Sequence, residues 1–130
     1  MATRKPAARK AASAASGQRL DAALAALSDP TRRAVVQALL ERPHRPGELA
    51  TLLAVSPPAL SRHLRVLRAS GVLVERIARD YARLRWLSLD PEALTPVRDW
   101  LDEAAQMWRE QLAAFRDHAE GRPPRPVRRR

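Results

Sequence analysis

Residues 56–73, SPPALSRHLRVLRASGVL, contain signals for both ends of a helix. Ser56 is a favoured N-cap residue, and Pro57 suits the first helical position, where its missing N–H would have no intrahelical partner anyway. Gly71 is typical of the left-handed residue that follows a helix. This stretch therefore predicts a short helix that begins after Ser56 and ends just before Gly71.

The two faces of this helix differ in chemistry. Three leucines recur at helical spacing and predict a buried stripe: Leu60, Leu64 and Leu67. Polar and cationic side chains point the other way: Ser61, Arg62, Arg65 and Arg68. We therefore expect a rigid helix that is anchored by its leucines and presents guanidinium groups to a partner.

A second short helix, about Pro46 to Leu53, precedes this one, and AVS between them leaves room only for a tight turn. Small residues, Ala50 and Ala54, lie near the expected crossing. The pair matches a helix-turn-helix, in which the second helix enters the major groove of DNA. The alternative is an ordinary helical hairpin with a solvated basic face.

The hydrophobic period changes after Gly71. Residues 72–79 (VLVERIAR) and 81–89 (YARLRWLSL) predict two strands, because they are rich in β-branched, aromatic and alternating residues. Tyr81, Arg83 and Arg85 alternate with Ala82, Leu84 and Trp86, which predicts a half-buried hairpin with one basic face. A basic hairpin in this position favours the wing of a winged helix.

Helices are also predicted on both sides of this unit. Leu20, Leu24 and Leu27 lie at helical spacing, and Asp29 followed by Pro30 predicts the cap and start of a second helix that ends near Leu40. A long last helix begins near Asp90. Either Pro91 or Pro96 could be its first residue, with Asp90 or Thr95 as the cap, and Gly121 marks its end.

Charge separates the chain into a body and two tails. Residues 1–19 carry five positive charges and no acid, and residues 122–130 carry five more, whereas residues 20–121 hold 14 arginines and 14 acids. We predict disordered basic tails at 1–17 and 121–130 around one domain at 18–120, because the tails have few large apolar groups to bury. The Arg- and Ser-rich composition of residues 1–17 also fits a transit peptide.

The sequence lacks the motifs that several functional classes require. There is no cysteine, no G-x-S-x-G or H-E-x-x-H motif and no glycine-rich nucleotide loop, so we expect neither an enzyme nor a cofactor. The three histidines, His44, His63 and His118, have no i, i+4 ligand spacing, so we also expect no metal site. No apolar run approaches the roughly 20 residues that span a bilayer, and we expect no membrane partner.

Three stretches resemble the ArsR-type winged-helix repressors of bacteria and archaea: LSDPTRRAVVQALL (27–40), GELATLLAVSPPALSRHLRVLRASGVL (47–73) and LSLDPEAL (87–94). The resemblance covers roughly residues 18–116 and implies a mainly α fold with a small β-hairpin, a winged helix-turn-helix. It further implies a homodimer built on the first and last helices. Such a dimer binds a palindromic operator in double-stranded DNA, and an effector or metal releases it.

The resemblance also implies site residues. Those on the recognition helix are Ser56, Ala59, Ser61, Arg62 and His63, to which its basic face adds Arg65. Arg79 and Arg83 flank the wing tip. His63 has two interpretations, a packed structural histidine or a contact to DNA.

The chain differs from the family pattern in three places. Pro57 stands where the family often has a polar residue, commonly glutamine. The wing turn ARDYA (78–82) has no glycine, and ELATLLA (48–54) lacks the cysteines of the metal-sensing members. Asp117 and His118 are only a weak remnant of the family's alternative C-terminal metal site.

Apolar residues on the first and last helices predict the dimer interface: Leu20, Leu24, Leu27, Trp100, Ala104, Trp108, Leu112 and Phe115. We therefore expect a dimeric, sequence-specific repressor without a cysteine metal-sensing site, cytoplasmic in a bacterium and associated with the nucleoid. A nonspecific architectural DNA-binding protein is the alternative, because the tails resemble chromatin-type extensions. Specificity for one operator distinguishes the two.

Overall fold

Five helices and a two-stranded sheet make up the computed structural model, which describes residues 6–78, 84–123 and 126. In chain order the elements are α1 (Pro6–Ala26), α2 (Pro30–Glu41), α3 (Pro46–Leu53), α4 (Pro57–Ala69), β1 (Leu73–Ala78), β2 (Leu84–Leu89) and α5 (Pro91–Ala119). The chain divides into two compact units, Met1–Val97 and Arg98–Arg130. The predicted order of helices and strands is confirmed.

The α1–α2 junction shows what the sequence SDPTRR does. Asp29 caps α2 as predicted, since its carboxylate accepts the Arg32 N–H at 3.0 Å. The two arginines have a second role at the end of α1. Arg32 Nε donates to the Ala26 carbonyl at 2.7 Å and Arg33 Nη1 donates to the Leu27 carbonyl at 2.8 Å. One short motif thus provides partners for backbone groups at two helix ends.

The first helix is longer than the sequence pattern predicts. Residues 6–17, part of the stretch for which we expect disorder, are helical. Six of the eleven residues from Pro6 to Ser16 are alanine, the residue with the highest intrinsic helix propensity. The prediction of disorder rested on the lack of large apolar side chains, which bears on burial more than on local helix formation.

The turn between α3 and α4 is tight and well defined. Ala54 adopts the left-handed conformation with φ 53°, and the Val55 N–H bonds the Ala50 carbonyl at 3.0 Å. Ser56 caps α4 by accepting the Ala59 N–H at 3.3 Å. At the other end, Gly71 follows the helix with φ 83°. Both predicted boundaries of α4 are therefore confirmed.

The core joins all elements of the first unit. The predicted leucine stripe of α4 is buried, as are Val35, Ala38 and Leu39 of α2. The largest side chains with full burial come from four elements and one turn: Val35, Leu49, Leu67, Val72 and Leu87. Leucines at one face of α4 thus fix the orientation of its opposite face.

The hairpin pairs its strands antiparallel, with Leu73 opposite Leu89 and Ala78 opposite Leu84. Leu84 and Trp86 are half-buried and Arg85 is exposed, as the alternation predicts. Fully buried Leu87, however, shares the face of Arg85. This face enters the core at the base of the hairpin, where backbone bonds between His44 and Leu87 (3.1 and 2.8 Å) attach a third segment.

The structure also decides how α5 begins. Asp90 accepts the Glu92 N–H at 3.0 Å, so Pro91 is the first helical residue and Pro96 lies inside the helix. Pro96 has no N–H for the Glu92 carbonyl, a local loss that the remaining turns of this 29-residue helix tolerate. Ala93, Leu94 and Val97 pack against the core, and Gly121 follows the helix with φ 70°.

Candidate nucleic-acid interface

The solvent-facing side of α4 carries the predicted DNA-binding residues. Ser61, Arg62 and Arg65 are exposed, because the buried leucines occupy the opposite face. Neither Arg62 nor Arg65 forms a salt bridge with another described residue. Their guanidinium groups are therefore available to a partner, and arginine forks suit both phosphate oxygens and the guanine edge.

The other predicted positions on this helix have different surroundings. Ser56 is exposed but its hydroxyl is already used as the N-cap, and Ala59 is half-buried. His63 is half-buried, and its Nδ1 lies 3.8 Å from Oδ1 of Asp29. The Arg32 N–H and, more weakly, His63 lower the pKa of Asp29. This contact between α4 and the start of α2 favours the structural interpretation of His63.

Arg68, on the basic side of the same helix, has an intramolecular partner. Its Nη2 donates to Oε2 of Glu75 in β1 at 2.7 Å, and Arg85 Nε in β2 donates to the other carboxylate oxygen. The Arg85 hydrogen bond is the main reason why the pKa of Glu75 lies below its usual value. This cluster, Arg68–Glu75–Arg85, connects α4 to both strands of the hairpin, and no local sequence pattern indicates it.

A cleft of about 300 Å³ brings these parts together. It lies between the start of α3, the exposed side of α4 and the second strand, and its polar lining consists of Ser61, Arg65, Arg68 and Arg85. The cleft thus places the arginines of the recognition helix and of the hairpin on one surface. We call this surface, together with Arg62, the basic face. Arg79 and Arg83, the predicted wing-tip residues, lie outside the described residues.

The helix α5 displays a long apolar stripe within the second unit. Most predicted interface residues there are exposed: Trp100, Trp108, Leu112 and Phe115, with Ala104 half-buried. Trp108 is 62% and Phe115 73% exposed, far more than core residues of these types tolerate. Leu101 and Met107 are exposed on the same stripe and were not predicted, although their helical spacing identifies them.

The predicted interface residues of α1 differ in their exposure to solvent. Leu24 is 42% exposed and Leu20 is half-buried, so both present apolar surface. Leu27, in contrast, packs against the core of its own unit. Only the first two therefore leave a ridge that a second molecule could cover.

Histidines and acids do not gather into a metal site in the described part of the chain, where no group of three or more such residues lies together. His44 is buried, with Nδ1 3.3 Å from Oε2 of Glu48 and no hydrogen-bond partner for Nε2 among the described residues. Within residues 6–78, 84–123 and 126, no helix has the length and apolarity needed to cross a membrane.

Known proteins are similar to this chain in sequence. Residues 29–75 match the family described as bacterial regulatory protein, arsR family. HTH-type transcriptional regulator Rv2034 of Mycobacterium tuberculosis is 40% identical over 95 residues, which are 73% of this chain and 83% of that protein.

Solved structures of transcriptional regulators are similar to this chain in fold. An ArsR-like transcriptional regulator from Rhodococcus sp. RHA1 superposes with a TM-score of 0.63 at 29% identity, covering 78% of this chain and 92% of that one. NolR from Sinorhizobium fredii superposes with a TM-score of 0.54 at 26% identity, covering 80% and 96%. The chain therefore belongs to the ArsR family and is a DNA-binding transcriptional regulator with a winged helix-turn-helix fold.

Proposed function

We propose that the protein is a dimeric repressor that recognises a palindromic operator through α4. The observation that carries this proposal is the position of Arg62 and Arg65 on the exposed side of a helix whose other side is fixed in the core. A helix held this rigidly can present side chains to base edges in a reproducible register. Sequence-specific reading requires such a register, whereas nonspecific attraction requires only charge.

The dimer follows from the apolar stripe of α5 and the ridge of Leu20 and Leu24 on α1. Exposed tryptophan, phenylalanine, leucine and methionine on a single stripe mark a surface that a partner covers. A second copy is the occupant we propose, because a two-fold pairing of this stripe buries it on both molecules at once. Two recognition helices then contact two half-sites, which makes the preferred DNA sequence an inverted repeat.

Repression is the proposed consequence of this geometry. A dimer that contacts two successive major grooves occupies the DNA that RNA polymerase would use at an overlapping promoter. Adding the protein to a purified transcription reaction should therefore lower the yield from a promoter that contains the operator. A higher yield would contradict repression while leaving DNA recognition intact.

The signal that controls DNA binding is not a metal held by cysteine thiolates, because the chain contains no cysteine. We propose that an effector, where one acts, changes the separation of the two recognition helices. The half-sites have a fixed spacing, so a change in helix separation weakens both contacts together.

The experiment compares Arg62→Ala with wild-type protein on an operator selected from random DNA. We expect a loss of about 1–3 kcal/mol, roughly 5- to 150-fold in affinity, with relaxed preference at one base position. Arg109→Ala on α5 is the matched control, because it removes the same charge from an exposed residue that is not part of the recognition helix. Unchanged affinity of the Arg62 variant, with an unchanged circular dichroism spectrum, would refute the role of this residue.

The same measurements separate the proposal from the architectural alternative. An architectural protein would bind the selected operator and a random duplex of equal length with similar affinity. A repressor prefers the operator by several orders of magnitude. The ten positive charges in residues 1–19 and 122–130 raise both affinities and leave the preference itself unchanged.

A further inference from the structure

Glu75 occupies an unusual place for a carboxylate in a protein that binds a polyanion. It lies on β1, one residue from the exposed Arg76, and its side chain points to the side of the sheet that faces α4. There it accepts hydrogen bonds from Arg68 of α4 (2.7 Å) and from Arg85 of β2. Both carboxylate oxygens are thus used, each by a different element.

Both partners of Glu75 belong to the basic face. Arg68 and Arg85 line the same cleft as Ser61 and Arg65, and both guanidinium groups are about half exposed. Without Glu75 they would be two further cations beside the residues that we propose to contact DNA. With Glu75 the three side chains together carry a net charge of +1, and both arginines are held by a protein carboxylate.

The competition between this carboxylate and a DNA phosphate has a predictable outcome. The Arg85 hydrogen bond, together with the charges of Arg85 and Arg68, keeps the pKa of Glu75 low, so it stays ionised at neutral pH. Each arginine already gives one of its N–H groups to this carboxylate, so a phosphate that approaches either arginine competes with a negative charge beside it. Contacts to phosphate carry no sequence information, and each one raises affinity for every DNA sequence alike.

We propose that Glu75 is a specificity-determining residue. Its carboxylate prevents Arg68 and Arg85 from becoming sequence-independent phosphate contacts, and it ties the hairpin to the recognition helix. This inference rests on the proposed function, since it assumes that the basic face contacts DNA. The role is one of positioning, because Glu75 acts on DNA only through the two arginines.

The test is Glu75→Gln in the full chain, measured by fluorescence anisotropy on the selected operator and on a random duplex over a range of salt concentrations. We expect tighter binding to the random duplex, by up to about eightfold at 0.1 M salt for each arginine that reaches a phosphate. The plot of log affinity against log salt becomes steeper by about 0.9 per released arginine. The ratio of operator to random affinity falls.

Two controls test whether release of Arg68 and Arg85 causes the steeper salt dependence. Glu48→Gln removes the same charge from another glutamate that is paired with an arginine, Arg42 at 3.1 Å, and should leave the salt slope nearer to wild type. Replacing Arg68 and Arg85 by glutamine in the Glu75→Gln protein should restore the wild-type slope. Equal steepening in the Glu48 variant, or a steep slope that persists in the triple variant, would overturn the proposal.

A second comparison does not depend on the folding of the Glu75 variant. Arg65→Gln in otherwise wild-type protein should flatten the salt slope by about 0.9, whereas Arg68→Gln and Arg85→Gln should change it much less. Equal flattening by all three would show that Glu75 withholds no arginine from DNA. If wild-type protein shows no operator preference, the proposed repressor function fails instead, and this salt comparison still decides whether Glu75 restrains its partners.

Discussion

Trp108→Glu should convert the protein into a monomer. Trp108 lies in the middle of the apolar stripe of α5, with Ala104 and Leu112 one turn away on either side, and 62% of it is exposed in the single chain. In the proposed dimer the indole is covered by the partner. A glutamate at this position would lose that burial and place a charge where water is excluded.

The magnitude follows from the exposed area. Tryptophan buries about 150–250 Å², so the exposed 62% of Trp108 corresponds to roughly 120 Å². At about 25 cal/mol per Å², covering it contributes about 3 kcal/mol per protomer and about 6 kcal/mol per dimer. Buried area overstates affinity, because association also orders side chains. If only half of this free energy is realised, about 3 kcal/mol, its loss still weakens dimerisation by more than about 100-fold.

The assay is sedimentation velocity of the wild type, the Trp108→Glu variant and a Gln106→Glu control at micromolar concentration. Gln106 lies on the opposite face of α5, so its variant gains the same charge in the same helix while the stripe stays intact. We expect the wild type and the control to sediment as dimers and the Trp108 variant as a monomer with weak operator affinity. A dimeric Trp108 variant, or a monomeric wild type, would refute the reasoning.

The basic tails, the core and Glu75 can each be tested separately. Deleting residues 1–17 and 122–130 should flatten the salt dependence of DNA binding by up to 0.9 per lost phosphate contact, while sequencing of selected DNA returns the same preferred site. Leu67→Ala should lower the free energy of unfolding by about 3–5 kcal/mol in urea titrations, since Leu67 is 0% exposed. The lowered pKa of Glu75 means that its stabilising effect is present above the ordinary value of 4.5 and disappears as the pH falls through the folded-state value. The stability difference between wild type and Glu75→Gln should therefore shrink from pH 6 to pH 3, and a constant difference would contradict this.

Local sequence signals predicted the helix boundaries well. Asp29, Ser56 and Asp90 act through bonds that span two or three residues, so their function as caps is visible in the sequence itself. The leucine stripe of α4 was predictable for the same reason, since one period defines one face. Where two local signals competed, at Pro91 and Pro96, the sequence left the choice open and the bond to Asp90 decided it.

The features that the sequence did not reveal join residues from different elements. Glu75 is seven residues from Arg68 and ten from Arg85, and only the register of the hairpin brings them together. The contact of His63 with Asp29 likewise needs the packing of α4 on the start of α2. Composition alone also did not indicate the helix at residues 6–17, because a lack of apolar bulk does not prevent an alanine-rich segment from being helical.

The central claim, a two-fold repressor that reads DNA through α4, is tested most directly by sequencing the DNA that the full chain selects from a random pool. We predict an enriched inverted repeat whose half-site centres lie about one helical turn, roughly 10 base pairs, or a multiple of it apart. An Arg62→Ala protein should select the same repeat with one position relaxed in each half-site. A pool without any enriched motif, or with a single unrepeated half-site, would contradict the claim.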